Sequence, residues 1–278
     1  MNIIQLFSLL DLKTDQILEF GSDDYIRIEK KINFEKKINP EIDSNISENL
    51  ILILKEYKEE LLFVMSNSIF LNFFAQNKFS KEYFFNNNLS ISDEKVKYFI
   101  TLFLADDLIS FFSLKLSKNT FENLEELDFL LDFKRYFSEE IIYKMTLLVF
   151  SKLDFAVSQL AIVDTNTYSA IIYIKFKAFY CLLSHFATIE SDRKMSKLLS
   201  LVIKFYNKDT SSAFLGSVIK SMAFYNAFNE NITKILAENS DAIPPVLEEN
   251  VENAKMPPVV KIIIAIMVFA VILFLISK

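Results

Sequence analysis

The chain has 278 residues with a formal net charge of −6, and it contains two glycines, one cysteine and one histidine. Sheet folds use glycine in hairpin turns, and nucleotide-binding folds use it to bring backbone close to phosphate, so the composition disfavours both and predicts an all-α protein. The single cysteine excludes an internal disulfide. The interspersed charges and acidic balance disfavour nucleic-acid binding.

The N-terminal region predicts two amphipathic helices. Residues 3–20 have apolar side chains at helical spacing, which favours a first core helix, with attachment to a membrane surface as the alternative. The second helix is predicted over residues 22–38. It begins after Gly21 and ends at Asn39-Pro40, because proline disfavours helical geometry in the residue before it. The solvent face of this second helix is the most basic patch of the sequence. We interpret it as a solvated face, and contact with anionic headgroups or an acidic partner is the alternative. Its basic residues are Arg27, Lys30, Lys31, Lys36 and Lys37.

The next segment predicts one long helical stretch followed by a loop. Apolar residues at 3–4 spacing follow Ser47 as far as Val64, and residues 69–74 continue as a buried segment. Residues 77–92 are rich in Asn and Ser, which predicts a loop. This loop is the best candidate for an internal boundary of the helical domain.

From Ser92 onward, capping residues recur regularly and predict six further helices. Ser or Thr followed by acidic residues marks several of the starts, because acids in the first turn complement the helix dipole. The predicted helices cover residues 92–116, 119–136, 138–163, 167–189, 193–207 and 212–238. The spacing between the starts of these helices is similar to the length of a helical-hairpin repeat, but no side-chain consensus recurs at that spacing. We therefore expect a single multi-helix bundle, with hairpin repeats as the alternative.

The C-terminal segment predicts a transmembrane anchor. Ile262 to Ile276 are fifteen consecutive apolar residues, which rise about 22 Å as a helix. A span of residues 259–277 reaches about 28 Å if Lys261 turns its ammonium toward the headgroups. A buried core helix is the alternative. Anchor positions include Val259, Val260, Lys261, Ile262, Phe269, Phe274, Ile276 and Lys278.

This anchor defines the expected organisation of the chain. Residues 1–243 form a helical cytoplasmic domain, residues 244–258 an acidic linker that contains prolines, and residues 259–277 the membrane span. The N-terminal residues lack the basic start and uninterrupted apolar run of a secretory signal. We therefore expect a single-pass, C-tail-anchored protein whose C-terminus lies on the far side of the membrane.

The sequence marks no catalytic site, cofactor, metal site or small-molecule substrate. Cys181 and His185 share a helix face, but a zinc site needs about four ligands and no second pair exists. We therefore interpret them as a core thiol beside a hydrogen-bonded histidine. The adjacent acid pairs Asp106-Asp107, Glu125-Glu126 and Glu139-Glu140 diverge on a helix, which predicts helix surface or caps.

These features favour a non-enzymatic scaffold, adaptor or component of a multi-protein membrane complex. Its expected partners are the lipid bilayer and other proteins. The alternative is a helical regulator or former of membrane pores, in which residues 96–116 and 141–163 insert as an apolar hairpin. Charges such as Lys115 and Lys152 in these segments count against insertion. A fusion protein of the SNARE type is disfavoured, because prolines interrupt the heptad register before the anchor.

Overall fold

Every regular element in residues 1–82, 89–162 and 168–243, the ranges that the computed structural model describes, is helical. No strand occurs in these ranges, so the predicted all-α fold is confirmed. No helix among them is long and apolar enough to cross a bilayer. The linker and anchor predictions, on residues 244–278, lie outside the described residues.

The first five helices occupy residues 3–75. Their starts are set by polar caps: the Asn2 side chain accepts a hydrogen bond from the Gln5 amide, and Asp43 accepts one from the Ile46 amide. A short 3₁₀ helix, Thr14–Glu19, lies between the first two and packs against the fourth. The helices are α1 (Ile3–Leu9), α2 (Ser22–Glu35), α3 (Ser44–Glu56), α4 (Lys58–Ser66) and α5 (Ser68–Ala75).

Eight further helices lie within the described residues 93–162 and 168–241. Ser92, Thr120 and Ser138 cap three of them, as the sequence predicts. These helices are α6 (Asp93–Phe103), α7 (Ala105–Ser117), α8 (Phe121–Leu131), α9 (Glu139–Ala161), α10 (Lys177–Ser184), α11 (Ile189–Tyr206), α12 (Ala213–Met222) and α13 (Glu230–Asp241).

Two predicted continuous stretches are interrupted, so their predicted bounds are wrong. The stretch after Ser47 breaks at Tyr57 and at Asn67, and the helix predicted over 92–116 breaks at Leu104. None of these residues is glycine or proline. At Asn67 the side-chain amide donates to the Phe63 carbonyl at 2.6 Å, in place of a helical backbone donor. At Leu104 the backbone turns while a fully buried side chain fills the core.

Three of the later helices also differ from their predicted bounds. The range predicted over 167–189 contains a 3₁₀ turn, Ile172–Lys175, followed by the shorter α10. The range predicted over 212–238 is divided into α12 and α13. The helix predicted from residue 193 begins at Ile189, because Thr188 and Ser191 form a capping box.

Residues Met1–Ala242 form one compact unit with a core rich in aromatic side chains. Rings of Phe63, Phe70 and Tyr136 lie 5.1–6.2 Å apart and join α4 and α5 to the segment before α9. Such pairs contribute about 0.5–1.5 kcal/mol each beyond their buried area. From α7 onward, each helix up to α11 packs against the helix two places further along the chain. Helix α9 therefore packs against both α7 and α11.

Candidate functional site

The predicted basic face lies on α2, where the structure leaves one side of the helix open. Ile28 and Ile32 are buried and turn toward the core, and α2 packs against α3. Residues on the opposite side of the helix, including Arg27 and Lys30, are therefore exposed. The pattern of one buried stripe beside a charged face is what the sequence predicts for this segment.

The five predicted basic residues have different surroundings. The Lys31 ammonium donates to the Leu10 carbonyl, and the Lys36 ammonium lies 3.4 Å from the Ser44 hydroxyl. These two lysines tie α2 to its neighbouring segments. Arg27 has only a long, exposed contact of 3.7 Å with Asp24, and no described hydrogen bond or ion pair involves the side chains of Lys30 or Lys37. Three cations are thus available for an external partner.

Large apolar side chains lie among these three cations. Ile26, Phe34 and Ile38 are 52%, 60% and 65% exposed. One helical turn continues beyond Glu35, because the Lys37 amide donates to the Phe34 carbonyl and the Ile38 amide to the Glu35 carbonyl. We call the resulting face the α2 surface, and it comprises Ile26, Arg27, Lys30, Phe34, Lys37 and Ile38. The basic face predicted from the sequence does not include the apolar members of the α2 surface, because their exposure depends on how α2 packs against the core.

A second exposed surface lies on α9. Tyr143, Leu147, Ser151 and Phe155 follow one another at intervals of four residues, and all four are exposed. We call this row the α9 ridge. It runs about 18 Å along the helix. Rows of this spacing are the ridges that fit into grooves of another helix.

Charged pairs flank the α9 ridge. Lys144 Nζ lies 2.7 Å from Glu140 Oε1 within α9, and Lys194 Nζ of α11 lies 2.5 Å from Asp154 Oδ2. The hydrogen bond from Lys144 lowers the pKa of the exposed Glu140 carboxyl. An apolar row with a polar rim is the usual composition of a protein interface.

Cys181 and His185 lie beside two aspartates that the sequence could not place. His185 Nε2 is 3.0 Å from Asp128 Oδ1 and 3.9 Å from Asp132 Oδ1, which links the end of α10 to α8. Burial, with a further contribution from Asp128, raises the pKa of the Cys181 thiol. The thiol therefore stays protonated and is a poor nucleophile. No group of three or more His, Cys, Asp and Glu side chains within the described ranges is arranged to hold a metal.

The three acid pairs are divided between surface and core. Glu139 and Glu140 lie in the first turn of α9, and Asp106 is exposed in the first turn of α7. Glu126 is the exception: it is buried and bonded to Lys115, so its predicted surface position is wrong. The sequence does not reveal this, because Lys115 lies on the preceding helix.

The predicted anchor residues, Val259 to Lys278, lie outside the described residues. Comparison of the chain with protein-family models, with curated proteins and with solved structures returned no match. Functional inference therefore rests on the α2 surface, the α9 ridge and the apolar C-terminal sequence.

Proposed function

We propose that the chain is a non-enzymatic, C-tail-anchored membrane protein whose helical body acts as a scaffold or adaptor in a multi-protein complex. The observation that carries the adaptor role is the α9 ridge. Three of its four members, Tyr143, Leu147 and Phe155, are large apolar side chains, and exposed apolar patches on monomeric proteins mark interaction sites. Tyr143 supplies an aromatic side chain of the type that dominates interface energetics.

The geometry of the ridge indicates the type of partner. A row at four-residue spacing fits between the side-chain rows of another helix. The flanking Glu140–Lys144 and Asp154–Lys194 pairs give the rim both signs of charge. Such charges determine how a partner helix aligns with the ridge more than how tightly it binds. We therefore propose a helical protein partner.

The apolar segment Ile262–Ile276 supports the membrane part of the proposal. Its length and the flanking Lys261 and Lys278 fit a short membrane span. Anchoring raises the local concentration of the body near other membrane proteins, so a modest interface such as the α9 ridge becomes effective.

Two observations weigh against the alternative of a pore former. The apolar segment 96–116 is divided at Leu104 into two helices, α6 and α7. Lys115 in that segment pairs with Glu126 inside the body, so insertion into a bilayer must first break a buried ion pair.

The test is purification of the full chain in mild detergent through an affinity tag, with identification and quantification of co-purifying proteins. The ridge variant carries Tyr143→Gln, Leu147→Gln and Phe155→Gln. The control variant carries Leu52→Gln, Leu102→Gln and Ile235→Gln, which are exposed apolar residues on other helices. We expect one defined set of partners with the native chain and the control, reduced at least tenfold with the ridge variant. Recovery of the native chain alone as a monodisperse monomer would contradict the proposal.

A further inference from the structure

We infer that the α2 surface rests on the anionic headgroups of the membrane, so that the body has a second lipid contact besides the proposed anchor. The inference builds on the proposed membrane residence of the chain, but it does not require a partner at the α9 ridge. Its evidence is the combination of cations and bulky apolar side chains on one open face of α2.

The charges on the α2 surface are predominantly positive. With 100° per residue, the positions from Ile26 to Ile38 that make up the α2 surface fall within about one third of the helix circumference. Arg27, Lys30 and Lys37 lie in this sector, and Asp23 is the one acidic residue in it. Glu29 and Glu35 lie outside it. The sector is therefore positive on a protein whose net charge is −6.

The apolar side chains of the α2 surface lie between its basic side chains. Ile26, Phe34 and Ile38 project among the cations and do not form a separate stripe. A membrane interface accepts both types of group at one depth, because apolar side chains enter the acyl boundary while ammonium and guanidinium groups stay with phosphate. An acidic protein partner that matched this face would need apolar pockets interleaved with carboxylates.

Contacts with the core and with neighbouring segments hold α2 in place. Ile28 and Ile32 hold the inner side of α2 in the core, and Lys31 and Lys36 bond to Leu10 and Ser44. The outer side is thus presented without rearrangement of the fold. Each basic residue near an anionic surface strengthens binding about fivefold, so the three cations together contribute roughly a hundredfold.

The experiment uses the full chain with Cys181→Ser and a single labelling site, Asn33→Cys, which is exposed beside the α2 surface. An environment-sensitive fluorophore is attached there, and the chain is reconstituted into phosphatidylcholine vesicles with or without 30% phosphatidylserine. Quenching by lipids brominated close to the headgroup reports contact. A second chain labelled at Ser200→Cys, exposed on α11, serves as the reference position. Flotation and carbonate extraction of the same samples report anchoring separately.

We expect quenching at position 33 to be at least threefold stronger with phosphatidylserine than without it, and to be absent at position 200. Arg27→Glu, Lys30→Glu and Lys37→Glu together abolish the quenching. Lys197→Glu, Lys204→Glu and Lys208→Glu on and just beyond α11 give the same change in net charge and leave it intact. Unfolding curves confirm that both variants fold.

Three results would overturn the inference. The first is quenching at position 33 that is independent of phosphatidylserine, or absent, in vesicles that carry the anchored chain. The second is equal loss in the α2 and α11 charge variants. The third is a fluorescence response to polyglutamate as strong as the response to anionic vesicles, which would assign the face to an acidic protein. Lipid contact at position 33 in a chain that carbonate extracts would sustain the inference and contradict the anchor.

Discussion

Lys115 Nζ and Glu126 Oε2 lie 2.8 Å apart inside the body, where their side chains are 8% and 4% exposed. The pair joins α7 to α8, and the Lys115 ammonium also lies 5.7 Å from the centre of the Phe73 ring on α5. Burial raises the pKa of the Glu126 carboxyl, and the hydrogen bond from Lys115 acts in the opposite direction. Each charge of the pair therefore depends on the other.

The first prediction concerns this pair. Lys115→Met leaves the Glu126 carboxylate buried without its partner, and we expect a loss of about 3–5 kcal/mol in the free energy of unfolding. The double variant Lys115→Met with Glu126→Leu restores stability to within about 1–2 kcal/mol of the native chain. Urea unfolding followed by circular dichroism measures both. Lys144→Met breaks the exposed pair with Glu140 and should cost far less than Lys115→Met, because water screens an exposed pair. Equal losses in the single and double variants would exclude a buried pair.

The second prediction concerns Asp192, a buried carboxylate at the start of α11. It accepts hydrogen bonds from the Tyr225 hydroxyl at 2.8 Å and from the amides of Phe228 and Asn229 at 3.1 and 2.8 Å. Asp192→Ala leaves the Phe228 and Asn229 amides without an acceptor and leaves the Tyr225 hydroxyl with Ser191 Oγ, at 2.8 Å, as its remaining partner. We expect a loss of about 3–5 kcal/mol in the free energy of unfolding. Asp192→Asn keeps one oxygen and should cost about half as much. Amide hydrogen exchange at Phe228 and Asn229 should accelerate first, and unchanged exchange there would contradict this role.

The third prediction concerns stability at alkaline pH. Burial raises the pKa of Tyr173, Tyr180 and Tyr225. The unfolded chain therefore releases these protons near pH 10 while the folded chain retains them. The unfolded state then binds fewer protons, so the free energy of unfolding falls as pH rises above 10 and is unaffected by these groups below it. Three such groups give a slope of about 4 kcal/mol per pH unit.

A phenylalanine variant tests this slope. Tyr173→Phe removes one of these groups, so we expect the alkaline slope to become shallower by about 1.4 kcal/mol per pH unit. It also loses the hydrogen bond to the Lys152 carbonyl, which costs about 1 kcal/mol at neutral pH. An unchanged slope in Tyr173→Phe would show that its phenol ionises in the folded state.

The elements that the sequence predicts well are those with local signals. Scarcity of glycine indicates the all-α fold, and Ser92, Thr120 and Ser138 mark helix starts because each side chain caps the amide three residues later. These signals need no knowledge of tertiary structure. The same rule finds the start of α11 at Thr188 once Ser191 is recognised as its capping partner.

The helix break at Tyr57 could not be predicted, because it coincides with a contact to a residue that is distant in sequence. Tyr57 leaves helical geometry where its ring packs 5.2 Å from the Phe103 ring at the end of α6. Exposure is equally nonlocal: Ile32 and Phe34 are both apolar and two residues apart, yet Ile32 is buried and Phe34 is open. The apolar half of the α2 surface and the α9 ridge are therefore visible only once the helices are packed.

The fourth prediction is that two lysine substitutions in the C-terminal segment prevent its insertion into the membrane. Met267→Lys and Val271→Lys place two charges near the middle of the Ile262–Ile276 run. Each lysine costs about 2.5–3.5 kcal/mol at the centre of a membrane helix, so together they exceed what this short segment gains by insertion. Neither substitution lies within residues 1–243, so the sequence of the helical body is unchanged.

Extraction of membranes with alkaline carbonate tests the membrane anchor, with the full chain and its two-lysine variant compared in one experiment. We expect the native chain to stay in the membrane pellet and the Met267→Lys, Val271→Lys variant to move to the supernatant. Release of the native chain into the supernatant, or retention of both chains in the pellet, would contradict the predicted anchor.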